Sequence, residues 1–261
     1  MSSLAPNLLD EALGFDVATS TITDRWDGCR RVILIEDSVE TSGAFVLHHF
    51  IKRTLSPLSS DVVIFLSFSH SFSHYDRVLR KMGCNLVQQT ENKRFLFFDL
   101  LKFQCKEGNV ESVTMALYGK VHKALEICCV PDTKTKVLLV IDDISLMEVA
   151  TNGSSNQVLD FLHYCHSLTS QFGCSLVILD HEDIYTSTDL PTLLLRMECL
   201  ADTVIKAEPL GTGLAADVHG QLTILNKGVS DVVGKKRSKS SNFHFKIKEN
   251  NVEYFYPGSR T

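Results

Sequence analysis

Five short apolar runs, each rich in β-branched or aromatic residues and each parted from the next by an amphipathic stretch, set the fold class of this chain. They are RVILIE (31–36), DVVIFLS (61–67), RFLFFD (94–99), KVLLVI (136–141) and CSLVIL (174–179). A run that is apolar at consecutive positions is buried on both faces, as in a parallel sheet covered by helices. The intervening stretches supply those helices. Residues 42–55 form one that stops before Pro57, and residues 73–81 form another closed by Gly83. Residues 110–127 and 191–199 form two more. Between them a turn at 153–156 opens a helix to about residue 171, with Val158, Leu159, Leu162, Cys165 and Leu168 on one face.

After residue 201 the rhythm changes. Residues 202–207, 218–225, 242–248 and 252–256 read as strands, with no helical segment between the last three. The expected architecture is therefore α/β in three layers, a mostly parallel central sheet finished by a C-terminal antiparallel β-meander. One domain over 1–261 is expected, because the meander holds too little apolar material to stand alone. Residues 227–241 (KGVSDVVGKKRSKSS) read as a mobile basic loop without apolar periodicity.

The charge is mild at −5 but unevenly spread. From Lys227 onward there are eight Lys and Arg against three Asp and Glu, which leaves 18 against 28 in the remainder. A basic tail on an acidic body points to contact with phosphate or with an acidic neighbour, beside the plainer reading of a solvated loop. The opening residues carry neither a basic nor an apolar leader segment, and no apolar run reaches the ~20 residues of a membrane span. The expectation is a soluble intracellular protein. Eight scattered cysteines with no C-x-x-C pair read as reduced, structural thiols. His163 and His166 fall on one helical face but lack a third ligand in register, so no metal is expected.

The first strand, loop and helix, with a later apolar strand ending in Asp, are arranged as in phosphate-loop proteins. That loop is G-x-x-x-x-G-K-[ST], whose glycines let backbone N–H groups cradle phosphate while Lys neutralises it. The equivalent segment here is Asp37-Ser38-Val39-Glu40-Thr41-Ser42-Gly43-Ala44. Asp37 replaces the first glycine, and the Lys position carries Gly or Ala. Asp37 and Glu40 would set negative charge beside a polyphosphate, and like charges ~4 Å apart repel by about 1 to 4 kcal/mol. Independent ATPase activity is not expected, and no cofactor is. Asp142 and Asp143, ending the fourth run, resemble the carboxylates of a magnesium-site strand; equally, such an Asp starts or caps the next turn. His70, His74 and Tyr75 lie at the start of a helix at the sheet edge, where they would face a partner or a ligand. Asp217 and His219, on one strand, could form a polar pair, beside the plainer reading of a cross-strand hydrogen bond.

Several strings go beyond fold-level analogy. SGAFVLHHF (42–50), SFSHY (71–75), VLDFLHYC (158–165), and LGTG (210–213) followed by DVHGQL (217–222) closely resemble the Elongator subunit six family, in order from about residue 7 to 256. The resemblance implies a RecA-like fold without a working phosphate loop. It implies as partners Elongator subunits four and five, joined with this chain in a heterohexameric ring. It also implies tRNA as a ligand, wobble-uridine modification by the catalytic Elongator subcomplex, and a cytoplasmic location with a nuclear one left open. Within that frame Lys235, Lys236, Arg237 and Lys239 are the candidates for tRNA phosphate contact, against the readings of a free surface loop or a nuclear-localisation signal. Loops 144–155 and 181–189 would face the pore. A purely structural ring scaffold and an unconventional ATPase are the alternatives.

Overall fold

A computed structural model describes residues 7–15, 31–103, 110–129, 135–185, 192–213, 215, 217–230 and 236–258. The apolar runs form β1 (Val32–Asp37), β2 (Val62–Ser67), β3 (Phe95–Asp99), β4 (Val137–Asp142) and β5 (Ser175–His181). They are followed by β6 (Thr203–Glu208), β7 (Gly220–Ser230), β8 (Lys236–Ile247) and β9 (Val252–Phe255). All nine lie in one sheet of order β3-β2-β4-β5-β1-β6-β7-β8-β9. Every pairing from β3 to β6 is parallel, and those from β6 to β9 are antiparallel.

Alternation along each strand serves two cores at once. Ile33, Ile35, Val63 and Phe65 face the side covered by α1 (Leu8–Ala12), α2 (Ala44–Thr54), α3 (Phe72–Lys81) and α4 (Leu86–Glu91). Val32, Leu34, Ile64 and Leu66 face the side covered by α5 (Val110–Cys128), α6 (Ile144–Ala150), α7 (Ser155–Phe172) and α8 (Thr192–Leu200). The three layers and the terminal meander stand as the hydrophobic pattern predicts, and α3 ends at a left-handed Gly83 (φ +87°) as expected.

Three segments differ from expectation. Within 227–241, residues 227–230 and 236–241 are strand; β7 and β8 continue past the core, pairing Asn226 with Lys239 and Val229 with Arg237 across an irregularity. A ladder extends on backbone N–H and C=O groups whatever the polarity of the side chains, which is why composition misread it. Residues 231–235, and with them Lys235, lie outside the described residues. Residues 144–150, expected as loop, are α6, nucleated by Asp143, whose carboxylate accepts the Ser145 N–H at 3.0 Å. Residues 182–185, also expected as loop, make a 3-10 turn.

Gly220 opens β7 where that strand meets the β1–α2 turn. A Cβ there would lie 2.7 Å from the Glu208 carbonyl oxygen, 2.8 Å from Phe245 Cζ and 2.9 Å from Thr41 Cγ2. Backbone cannot yield as a side-chain end can, so Gly220→Ala should destabilise by about 1–3 kcal/mol. A lowered urea midpoint at unchanged m-value is the expected readout.

Candidate functional site

The carboxyl ends of β4, β5 and β1 lie side by side, the edge where open α/β sheets bind ligands. Between β1 and α2 the chain folds back tightly. Thr41 N–H donates to the Ser38 carbonyl at 3.1 Å, and Ser38 N–H to that of Thr41 at 3.5 Å. Val39 and Glu40 stand exposed at the tip. Val39 N–H donates to Asp183 Oδ2 at 2.8 Å, Gly43 N–H to Asp37 Oδ2 at 2.6 Å, and Ala44 N–H to Ser42 Oγ at 3.2 Å. The amides of residues 38, 39, 41, 43 and 44, which a phosphate loop would aim at its ligand, thus all donate within the chain. Gly43 is closely packed: a Cβ there would sit 3.0 Å from Ile35 Cγ2 and 3.2 Å from Asp37 Cβ.

Asp37 was expected as a charge beside a ligand; the structure buries it completely. Its partner is His181, which ends β5 directly opposite it in register. His181 Nδ1 contacts Asp37 Oδ1, and His181 Nε2 lies 3.0 Å from Asp143 Oδ2. Two buried carboxylates are therefore bridged by one imidazole, which they hold protonated far beyond the usual histidine range, at about 11. Sequence reasoning placed His181 in an acidic loop and missed it. The signal available was its place at the end of the CSLVIL run, one strand from Asp37.

Asp142 and Asp143, joined by a cis peptide bond, have different partners. Asp143 serves His181 and caps α6. Asp142 accepts from Ser69 Oγ at 2.6 Å, and burial, more than the neighbouring Asp143 charge, pushes its carboxyl up to about 7. On the opposite face of β1, Lys206 Nζ lies 2.7 Å from both Glu36 Oε2 and Glu198 Oε1. Burial raises the Glu36 carboxyl to about 7 against the pull of Lys206. No group of three or more His, Cys, Asp or Glu placed to hold a metal occurs among the described residues.

The remaining candidates scatter. Tyr75 is 3% exposed, packed on Phe65 with ring centroids 4.7 Å apart, so it cannot face a partner. A helix position four residues past its cap, Ser71, turns back onto the sheet, which is the reason. His70 and His74 are exposed and stacked, centroids 4.1 Å apart. Asp217 pairs with Lys246 at 2.8 Å, and His219 Nδ1 accepts the Ile247 N–H at 3.1 Å, so these two do not pair with each other. Lys239 is exposed on β8, and Lys236 and Arg237 lie on the same strand. No described helix is long and apolar enough to cross a membrane.

The model of the family described as Elongation complex protein 6 matches residues 18–249. The chain belongs to the Elongator complex protein 6 family. The Xenopus laevis member is 31% identical over 96% of this chain and 96% of its own length. The human member is 28% identical over 92% and 94% respectively. Among solved structures, an uncharacterised Pyrococcus horikoshii protein in complex with an unknown peptide superposes with a TM-score of 0.62 at 16% identity, covering 88% of this chain and 93% of that one. A KaiC-like protein from the same archaeon gives 0.59 at 13% identity, over 87% and 89%. The fold of this family member is RecA-like.

The buried charges at this edge set a pH dependence. A group whose folded pKa lies above its unfolded value contributes stability that is complete below the unfolded pKa and is lost as pH climbs to the folded one. For Asp142 and Glu36 that loss is over near pH 7. Buried His48, depressed to about 4 by desolvation, acts only below about pH 6.5. Between pH 7.5 and 8.5 the His181 bridge contributes, together with the thiols of Cys84, Cys129, Cys165 and Cys174, which burial also raises. Stability should fall across that interval by at least about 1 kcal/mol, measured as a lower melting temperature at constant ionic strength. A flat profile there would show that the imidazole is not held protonated.

Proposed function

We propose that this chain is an Elongator subunit that completes a heterohexameric ring with the RecA-fold subunits four and five and carries no nucleotide-hydrolysing site of its own. In this reading the ring holds tRNA for wobble-uridine modification by the catalytic Elongator subcomplex, chiefly in the cytoplasm. The observation that carries it is family membership over residues 18–249. The geometry supports the non-catalytic part. Amides that would cradle phosphate are used internally, and a buried carboxylate stands where the loop's first glycine would be.

Native mass spectrometry of the chain co-expressed with Elongator subunits four and five tests the ring. A discrete assembly with two copies of each is expected; subunits four and five associating without this chain would overturn it. Contact with tRNA is assigned to the strand-borne Lys236, Arg237 and Lys239 together with Lys235. Neutralising all four in the assembled ring should weaken binding regardless of tRNA sequence and flatten the salt dependence by about three in log–log slope. Unchanged affinity and slope would leave this subunit a scaffold.

A further inference from the structure

The β1–α2 turn reads as a remnant phosphate loop, and this inference rests on that reading. We infer that the chain fills its own phosphate position: the Asp37 carboxylate, seated on the Gly43 amide and bridged through His181 to Asp143, stands in for an external phosphate at the start of α2. Four independent placements converge on it. Asp37 is wholly buried, although an unneeded acid in this position could have pointed to solvent. One of its oxygens accepts the Gly43 N–H at the head of an eleven-residue helix, where a phosphate oxygen is otherwise received. The other oxygen meets His181, so the counter-charge comes from β5; on α2 itself the basic residues, Lys52 and Arg53, lie in the last turn. The amides of residues 38, 39, 41 and 44 are committed to Thr41, Asp183, Ser38 and Ser42.

An inorganic anion arriving here would meet a carboxylate already in its place, with a second carboxylate, Asp143, on the far side of the imidazole. Removing the Asp37 side chain reverses that balance. The helix terminus, the Gly43 amide and the imidazolium would then face an unfilled space with no anion of their own, apart from Asp143. That arrangement takes up an oxyanion such as pyrophosphate.

The test is calorimetric titration of the full chain with inorganic pyrophosphate, comparing the natural protein with Asp37→Gly. The natural chain should give no saturable signal. Asp37→Gly should bind saturably, at least about tenfold more tightly than any response of the natural chain, and its melting temperature should rise with pyrophosphate. Equal binding by both, or a folded Asp37→Gly that ignores pyrophosphate, overturns the inference. Should Asp37→Gly not fold, NMR of the His181 imidazole in the natural chain and in Asp37→Asn decides it. Asparagine keeps the shape and an oxygen for the Gly43 N–H while removing the charge. A proton retained past neutral pH in the natural chain and released at lower pH in Asp37→Asn supports the built-in anion; the same titration in both overturns it. These readouts use the chain alone, so their failure would leave the ring assembly standing, and failure of the ring would leave them unchanged.

Discussion

Replacing His181 by alanine lowers the stability of this chain by about 3–5 kcal/mol, the usual cost of stripping the counter-ion from a buried charge. Asp37 is 0% exposed and Asp143 1%, and both lean on the one imidazole. Without it two carboxylates face each other across a space the width of a ring, and among the described residues neither has another cation partner. For a domain of this size the corresponding fall in melting temperature is roughly 6–20 °C. Urea unfolding followed by circular dichroism at pH 7 gives the number directly. Combining His181→Ala with Asp37→Asn should recover part of the loss, because one of the two stranded charges is gone. A His181→Ala variant within about 1 kcal/mol of the natural chain would mean that the bridge holds little of the fold together.

Lys206→Met should be nearly as damaging, and more so at high pH. The Glu36 side chain is wholly enclosed, and Lys206, its register partner on β6, lies 2.7 Å from it and from Glu198. Methionine preserves most of the aliphatic volume, so the loss isolates the charge. At pH 8 the stranded Glu36 carboxylate costs about 3–5 kcal/mol. At pH 5.5 the cost should be smaller, since Glu36, already raised to about 7 with Lys206 in place, takes up a proton once the ammonium is gone. The measurement is the difference in urea midpoint between natural and variant chains at the two pH values. A pH-independent difference would place the effect in packing around the lysine stem.

The two networks share a strand but not a face. Glu36 points with Val32 and Leu34 to the α5–α8 side, Asp37 with Ile33 and Ile35 to the α2 side. Adjacent residues of β1 thus anchor the edge in opposite directions, through β6 on one side and β5 on the other. Both tether the end of β1 from which the turn leads to α2.

Periodicity alone determined the layers, the strands with the five longer helices between them, and the switch from parallel to antiparallel after residue 201, but not the short helices α1, α4 and α6. Runs such as KVLLVI are apolar at every position because both faces of the sheet are buried, and that need is written residue by residue. The missing glycine and lysine of the phosphate loop were likewise legible as residue types. Strand ends were not. Asp37, Asp142 and His181 are polar, so hydrophobic pattern stopped at or before each of them, although hydrogen-bonded pairing carries the strands through. Nor did polarity locate the β7–β8 extension, whose Ser, Lys and Arg pair through backbone groups. What only the tertiary structure decided is where the charges go. Parallel register sets His181 opposite Asp37 across more than a hundred residues of chain, and the order β4-β5-β1 brings Asp143 to its other nitrogen. Sequence names the acids and the histidine; an ion bridge depends on distances of about 3 Å, and those exist only once the sheet has been assembled.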